Sequence, residues 1–356
     1  MRIGHVIGQL SAGGAEGQLR LLASSASRRS TPFVYCLSPR LAPHGRALEE
    51  AGVPVRIVGG GRLARVSRLR DLMARDRVNI VHSWLYIGNA YAWAANGGRR
   101  PLVTSARNCK RQGVGLDFLN RRAFAASDAI VANSTLVDDY IRREYGAPGE
   151  RIRVVHNGID LDRFCGRVRG IPPARPTIVA VGRVVRQKNP ELFVRAARDV
   201  LKHVPGARFR WIGDGVMREG IVRDLTAGGM ADRVSFEGER VDIERVLDEA
   251  DLFWLTSDWE GLPNVVMEAM ASGLPVVACD VGGTSELFRS GREGQLVRAG
   301  DAAAIIESTR RILDDAATYA AASRAALASA REFSVEAMVK NMEQVYDEVT
   351  AGLPTW

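Results

Sequence analysis

Short apolar runs rich in β-branched residues alternate with helical patterns along almost the whole 356-residue chain. Helical patterns such as Glu191–His203 and Asn264–Ser272 lie between most of these runs. Such alternation predicts parallel sheets covered by helices on both faces, which makes the chain an α/β protein. The predicted strands are Arg2–Ile7, Phe33–Leu37, Val53–Val58, Ile80–His82, Leu102–Ser105, Ala129–Ala132, Ile152–Val155, Thr177–Val181, Arg208–Ile212, Arg233–Phe236, Leu252–Thr256 and Val276–Cys279.

The alternation is interrupted at residues 166–176, which read GRVRGIPPARP. Three prolines, two glycines and three arginines suit neither a helix nor a strand, so we predict the domain linker there. We expect a first doubly wound domain over 1–165 and a second over 177–332. The remaining segment, 333–356, contains a predicted helix at about Val335–Val349.

Composition is that of an ordinary globular protein, with 46% hydrophobic and 25% charged residues. The four cysteines, Cys36, Cys109, Cys165 and Cys279, are far apart in sequence, which predicts free thiols in a reducing compartment. The apolar run at the N-terminus is too short for a signal peptide, and no stretch of about 18 uncharged apolar residues occurs. We therefore expect a cytoplasmic protein.

Charge is unevenly distributed, with a net +12 over residues 1–165 and −4 over residues 166–356. A basic half attracts phosphates of nucleic acid, anionic lipid or a small ligand, although an arginine-rich solvated surface is the simpler explanation. A nucleic-acid binder should show basic strands interleaved with aromatics, or a reading helix. The sequence shows neither, so we expect no nucleic-acid partner.

The most informative segment is 251–286, DLFWLTSDWEGLPNVVMEAMASGLPVVACDVGGTSE. A strand ends near Thr256, a helix starts near Pro263, and Gly273 ends that helix. The loop 257–264 therefore joins the carboxyl end of a strand to the amino end of a helix, where open α/β sheets bind ligands.

Two carboxylates flank this turn, Glu260 in the loop and Glu268 in the helix. Carboxylates only accept hydrogen bonds, which suits the hydroxyls of a sugar and a ribose. For an isolated pair, a helix cap and a solvated helical residue would be the simpler interpretation.

A second segment, 177–197, reads TIVAVGRVVRQKNPELFVRAA. A strand runs into Gly182, and Asn189-Pro190 opens a helix. Arg183 and Lys188 then lie beside the strand's carboxyl end, where a guanidinium fork and an ammonium point charge suit a diphosphate.

Two glycine turns also follow strands. Gly213-Asp214-Gly215 follows Arg208–Ile212, and a plain turn explains it equally well. Gly13-Gly14 follows Arg2–Ile7 and permits close backbone approach to a phosphate or an acceptor. The latter is not G-x-G-x-x-G, which disfavours a nicotinamide site.

The string E-G-L-P-N-V-V-M-E-A-M-A-S-G-L-P-V-V-A resembles the E-x7-E region of retaining glycosyltransferase family 4. The resemblance implies a GT-B fold, in which two Rossmann-like domains face each other across a cleft and the C-terminal helix crosses back to the first domain. It implies that Glu260 faces the transferred sugar and that Glu268 binds the ribose. It also implies donor contacts from the turn between them: Leu262, Pro263, Asn264 and Val265.

G-R-x4-K-N is similar to the family's donor-diphosphate clamp, which makes Arg183, Lys188 and Glu260 the implied catalytic residues. The two glycine turns resemble the family's nucleobase and N-terminal loops. The donor-binding residues implied by these turns are Gly13, Gly14, Gly213 and Asp214.

Many family members carry a histidine after the strand Leu102–Ser105, where this chain has Ala106-Arg107-Asn108. The acceptor-side group is therefore either Arg107 or His82, and a structural role for His82 is an equal alternative.

The implied reaction moves a sugar from a UDP- or GDP-sugar to a hydroxyl with retention of configuration and without a metal or other cofactor. Acceptors in this family are often lipid-linked or growing saccharides of cell-envelope or exopolysaccharide synthesis. Arg62, Arg65 and Arg68 recur at helical spacing, which suggests contact with an anionic membrane at its inner face, or merely a solvated face. A sugar-nucleotide epimerase and a donor-binding pseudoenzyme are the alternatives.

Overall fold

The computed structural model of the chain describes residues 1–11 and 13–351. Contacts divide the chain into two compact units. The first contains Met1–Gly158 and the C-terminal segment from Val335, and the second contains Ile159–Ser334.

The described residues form strands at all twelve predicted places, with ends within two residues of the prediction. The short strand Gly294–Val297 was not predicted, because four residues that include a glycine and a glutamine give no clear alternating pattern. The strands are β1 (Arg2–Ile7), β2 (Thr31–Cys36), β3 (Val55–Ile57), β4 (Ile80–Trp84), β5 (Leu102–Ala106), β6 (Ala129–Ala132), β7 (Ile152–Val154), β8 (Thr177–Val181), β9 (Arg208–Ile212), β10 (Val234–Phe236), β11 (Leu252–Leu255), β12 (Val276–Cys279) and β13 (Gly294–Val297).

Helices follow most of the strands. Those predicted at Glu191–His203, Asn264–Ser272 and Val335–Val349 are confirmed to within one residue at each end. The helices are α1 (Gly14–Ser24), α2 (His44–Glu50), α3 (Arg62–Arg75), α4 (Leu85–Asn96), α5 (Val114–Ala126), α6 (Thr135–Tyr145), α7 (Pro190–His203), α8 (Arg218–Ala227), α9 (Ile243–Asp248), α10 (Asn264–Ala271), α11 (Ala302–Leu313), α12 (Ala316–Glu332) and α13 (Val335–Thr350).

The first unit is built on a parallel sheet of order β3-β2-β1-β4-β5-β6-β7. Apolar residues of α1, α2 and α13 fill the core on one face of this sheet. Those of α3, α4, α5 and α6 fill the cores on the other face. The chain changes direction between β1 and β4, which makes the carboxyl ends of these strands the topological switch point.

The second unit has a parallel sheet of order β10-β9-β8-β11-β12-β13, with its switch point between β8 and β11. Helices α7, α8 and α11 cover one face, and α9, α10 and α12 cover the other. Both sheets are therefore doubly wound, as predicted.

The C-terminal helix α13 packs on the first unit, which confirms the expectation that the chain returns there. The segment 166–176, expected to be the linker, lies within the second unit. Its start is held by two hydrogen bonds to residues far away in the sequence, which no periodic pattern reveals. Gly166 N donates to Ala271 O at 2.9 Å, and Arg169 N donates to Ser323 Oγ at 2.8 Å.

Among the described helices, none has the length and apolar character needed to span a bilayer.

Candidate functional site

Two loops meet at the switch point of the second sheet. The β8 loop (residues 182–189) follows β8, and the β11 loop (residues 256–263) follows β11. Because β8 and β11 are adjacent parallel strands, their carboxyl ends place these loops side by side.

Hydrogen bonds hold the two loops together. Asn189 has a left-handed backbone (φ 47°), and its side chain caps α7 by accepting from Leu192 N. The same side chain reaches across to the β11 loop, so the start of α7 and both loops are fixed as one body. The bonds between the loops are Thr256 Oγ1 to Lys188 O (2.9 Å), Asp258 N to Gln187 O (2.9 Å), Gln187 Nε2 to Trp259 O (3.0 Å) and Asn189 Nδ2 to Asp258 Oδ1 (2.7 Å).

An ion pair lies at the centre of this arrangement. Lys188 Nζ is 2.6 Å from Glu260 Oε1, and the two side chains are only 14% and 8% exposed. Ser257 Oγ donates to the same carboxylate oxygen at 2.6 Å. The sequence predicts both charged residues at this edge, but it predicts neither their contact nor the role of Ser257.

Glu268 lies half-buried on α10 near this pair. Loss of hydration raises the pKa of its carboxyl to about 7, against the opposing effects of Arg163 and Lys188. The nearby carboxylate of Glu244 raises the pKa further. Near neutral pH the group can therefore both donate and accept hydrogen bonds.

Arg163 is a residue that the sequence analysis missed. It forms an ion pair with Glu244 at 2.7 Å and acts electrostatically on Glu268. A single arginine in a turn has no spacing signal, so only the fold could identify it.

Arg183 is exposed on the β8 loop, and its Nη2 donates to Gln187 Oε1 at 3.3 Å. Of the four charged residues expected at the donor site, the structure brings Lys188, Glu260 and Glu268 together. Arg183 lies on the same loop as Lys188, with its guanidinium open to solvent.

The glycines around this site permit close packing of loops. Gly213 has φ +137°, and a Cβ there would overlap the carbonyl oxygen of Gly182. Asp214 is exposed, and its backbone carbonyl accepts from Val184 N at 2.9 Å. A Cβ on Gly282 would lie 2.5 Å from Glu260 O. These contacts explain the glycines by packing, whereas the contacts of Gly213 and Asp214 with a nucleobase stay a prediction.

The turn into α10 joins the β11 loop to the amino end of the helix. Leu262 and Pro263 are buried, and Asn264 and Val265 form the first turn of the helix. The amino end of a helix carries partial positive charge, which suits phosphate or hydroxyl oxygens.

The first unit has a cavity of about 450 Å³ beside its own switch point. Leu85, the first residue of α4, adopts a left-handed backbone there (φ 62°), at a cost of roughly 1–2 kcal/mol. Backbone strain of this kind is concentrated at functional sites. The residues around the cavity include Gly8, Gln9, Glu16, Arg65, Leu85 and Ile87.

The glycine loop expected at the donor forms the start of α1 beside this cavity. Gly13 caps the helix with an extended backbone (φ −166°), and Gly14 is the first helical residue. The Glu16 carboxylate folds back beside Gly13, leaving no room there for a Cβ. Burial raises the pKa of Glu16.

His82 lies inside β4 and is fully buried. Its Nδ1 is 2.7 Å from Tyr346 Oη and its Nε2 is 2.6 Å from Ser105 Oγ. Burial lowers the pKa of the ring well below its usual range. In this arrangement the neutral ring links β4 to β5 and α13.

Arg107 follows β5 directly and is also buried. Its Nη1 donates to Asn157 Oδ1 at 2.6 Å, and its guanidinium lies 4.1 Å from the Trp84 ring centroid. Burial lowers its pKa to about 9, so it stays cationic at neutral pH. Within the described residues its Nε and Nη2 have no hydrogen-bond partner.

The chain contains two doubly wound units, and the second has cations and carboxylates clustered at its switch point. This arrangement is that of an α/β protein of the GT-B architecture. Residues 12–163 match the family described as Glycosyltransferase Family 4, and residues 175–315 match Glycosyl transferases group 1. The chain belongs to glycosyltransferase family 4.

Similar proteins are consistent with this assignment. The lipopolysaccharide core biosynthesis mannosyltransferase LpsB of Rhizobium meliloti is 33% identical over 70% of this chain and 72% of its own. The D-inositol 3-phosphate glycosyltransferase of Nocardia farcinica is 31% identical, and the match spans 67% of this chain and 59% of that relative. The crystal structure of Anabaena Alr3699/HepE in complex with UDP-glucose covers 98% of this chain and 99% of its own, with a TM-score of 0.82 at 21% identity.

Proposed function

We propose that this protein is a retaining glycosyltransferase that transfers a sugar from a UDP- or GDP-sugar to a hydroxyl of a saccharide or lipid-linked acceptor. The observation that carries the proposal is the contact of Lys188 with Glu260 at the switch point of the second sheet. A cation and an acid held side by side match the two parts of such a donor, its diphosphate and its sugar hydroxyls. The UDP-glucose complex of the similar Anabaena protein supports this choice of donor class.

The reaction breaks the bond between the anomeric carbon and the diphosphate oxygen and forms one to the acceptor oxygen. The acceptor proton goes to the departing diphosphate, and the new bond forms on the face that the diphosphate leaves. Negative charge grows on the leaving group, so fixed cations beside it lower the barrier. Arg183 and Lys188 supply that charge from the β8 loop.

The ion pair has a further consequence for donor binding. Without a ligand, Lys188 neutralises Glu260 in a place where either charge alone would be costly. An entering diphosphate shares Lys188, and the sugar hydroxyls replace part of that contact by donating to Glu260. Ser257 keeps the carboxylate in place during this exchange.

The nucleoside part binds along α10. Glu268 accepts from the ribose hydroxyls, and the backbone of Leu262, Pro263, Asn264 and Val265 faces the sugar and the diphosphate. Gly213 and Asp214 border the base.

We also propose that no metal or other cofactor takes part, because two side-chain cations already balance the diphosphate. The setting is cell-envelope or exopolysaccharide synthesis at the cytoplasmic face of the membrane. The Rhizobium relative's role in lipopolysaccharide core synthesis and the four free thiols support this setting.

The acceptor binds at the cavity of the first unit, where Glu16 accepts hydroxyls and Arg65 attracts anionic groups. Gly13 and Gly14 lie beside it. Arg107 acts on the acceptor side through its buried positive charge rather than by contact, because its Nε and Nη2 are buried and the residue does not line the cavity. His82 does not contact the acceptor and influences its site only through its hydrogen bonds to Tyr346 and Ser105. Arg62, Arg65 and Arg68 hold the enzyme at an anionic membrane.

The sharpest test of the diphosphate contact is Arg183→Gln. The guanidinium is exposed and makes one 3.3 Å hydrogen bond, so the substitution should change the free energy of unfolding by less than about 0.5 kcal/mol. Loss of a cation at the leaving group should lower kcat by about 100-fold. Arg195→Gln, an exposed arginine on α7, is the matched control.

The assay first screens UDP- and GDP-sugars by thermal shift and then measures transfer to a lipid-linked saccharide with and without EDTA. NMR of the product gives its anomeric configuration. An unchanged kcat in Arg183→Gln contradicts the clamp, and inversion at the anomeric carbon contradicts retention. Loss of activity in EDTA contradicts metal independence, and donor binding without transfer indicates a pseudoenzyme.

A further inference from the structure

Two helices of the first unit begin with exposed apolar side chains. Leu63, in the first turn of α3, is 87% exposed. Val114 and Phe118, in the first two turns of α5, are 90% and 56% exposed. Exposed apolar side chains that lie together, rather than singly, mark surfaces that contact a membrane or another protein.

These side chains lie on one side and at one edge of the first sheet. Helices α3 and α5 both pack against α4 on the same face of the sheet. Each helix follows a strand of a parallel sheet, so each begins at the sheet's carboxyl edge. Ile87, in the first turn of α4, is also exposed and borders the cavity.

Cations surround the apolar side chains. Arg62 precedes Leu63, Lys110 precedes α5, and the guanidinium of Arg122 lies 5.5 Å from the Phe118 ring centroid. Arg68 donates to the backbone carbonyl of Gly59. In the described part of the chain, Arg62, Arg68, Lys110 and Arg122 form no ion pair with an acidic side chain.

The acidic groups nearby do not cancel this charge. Asp117 of α5 is buried and engaged with Arg111, Tyr145 and the Gln112 amide. Asp71 is the acidic residue of α3, against five arginines on that helix. The first turns of α3 and α5 therefore combine positive charge with exposed apolar groups, the pattern of elements that lie in a membrane interface.

We propose that the first turns of α3 and α5 form a docking surface for an anionic lipid bilayer. Leu63, Val114 and Phe118 enter the headgroup region, and Arg62, Lys110 and Arg122 contact lipid phosphates. The cavity lined by Arg65, Leu85 and Ile87 opens at the same edge. A docked enzyme would therefore meet an acceptor whose lipid stays in the membrane. This last step rests on the proposed function, whereas the binding surface itself does not.

Sedimentation of the full chain with vesicles tests the surface. Vesicles of phosphatidylcholine alone are compared with vesicles containing 30% phosphatidylglycerol, which is about a third of the lipid and gives a strongly anionic surface. Binding should require the anionic lipid and fall with added salt. Arg122→Gln should lower the partition coefficient about five-fold, the effect of one cation near such a surface.

The apolar part is tested by the double variant Val114→Ser/Phe118→Ser, which should lower partitioning on the order of ten-fold. Val216→Ser is its matched control, since Val216 is a 93% exposed valine of the second unit. Arg195→Gln is the control for the cation. All these side chains are exposed, and unchanged thermal unfolding verifies that each variant is folded.

Three results overturn the proposal: no binding to the anionic vesicles, equal losses in the control variants, or losses in the cation variant alone. The last would describe a surface that attracts anions without entering a bilayer. A thermal shift with UDP-glucose on the same samples separates the two proposals. Vesicle binding without a donor shift contradicts the proposed function and leaves the docking surface standing.

Discussion

Glu268→Gln should stabilise the second unit at alkaline pH while weakening donor binding. The folded protein holds this carboxyl with a pKa of about 7, raised from about 4.5 by loss of hydration. An acid with a raised pKa binds protons more tightly in the folded state than in the unfolded state. Stability from this group is therefore greatest below pH 4.5 and is lost as pH rises to about 7.

The size of this stability change follows from the difference between the two pKa values, about 4.5 unfolded and about 7 folded. At pH 8 the ionised carboxylate costs the folded state up to about 3 kcal/mol, and about 2 kcal/mol is expected because the side chain is only half-buried. Glutamine carries no charge and removes this cost. The free energy of unfolding should rise by that amount at pH 8 and stay unchanged at pH 4.5.

Hydrogen–deuterium exchange of peptides from β11 and β12 measures the opening free energy of the second unit by itself. Glu307→Gln removes an exposed carboxylate from α11 and should change it by less than about 0.5 kcal/mol at either pH. When UDP-glucose is added, the wild type should gain more protection from exchange than Glu268→Gln, because the variant binds the donor more weakly. If Glu268→Gln raised the free energy of unfolding equally at pH 4.5 and pH 8, the raised pKa of Glu268 would be refuted, since a desolvated carboxylate must give a pH-dependent effect.

Two other expectations follow from the contacts. Gly213→Ala places a methyl group against the Gly182 carbonyl at a residue with positive φ, so the free energy of unfolding should fall by about 2 kcal/mol or more. A urea titration measures this loss, and an unchanged midpoint would contradict the packing. Burial lowers the pKa of His5 to about 3 and that of His82 well below 6.5, so the unfolded chain takes up protons that the folded first unit does not. The stability of the first unit should fall by about 2 kcal/mol from pH 7 to pH 5 through His5 alone, and further through His82. Exchange of β1 and β4 peptides measures this loss, and equal protection at both pH values would refute the assignment.

Much of the fold could be predicted because its signals are local. Residues three or four apart meet on a helix, and alternate residues share a face of a strand, so a short window of sequence reveals each element. The predictions failed for segments whose apolar residues do not recur at a regular spacing. The strand Gly294–Val297 is too short to show one, and residues 166–176 are held to the second unit by hydrogen bonds to residues far away in the sequence.

The site was predictable in part. The sequence placed Lys188 and Glu260 each at the carboxyl end of a strand, and family resemblance gave them roles. Their 2.6 Å contact joins residues 72 positions apart and depends on β8 and β11 being neighbours. Arg163 and Ser257 have no pattern around them, and the burial of His82 and Arg107 depends on what packs over their strands.

The sequence by itself determined the α/β class, most of the elements and the loops that carry charge, because propensity and periodicity act over a few residues. Only the tertiary structure decided which loops adjoin. In the second sheet, β9 and β10 separate β8 from β11 along the chain, yet the sheet order places β8 beside β11. Strand order is set by how whole faces of sheet and helix bury their apolar surface, a global balance that no short stretch of sequence records.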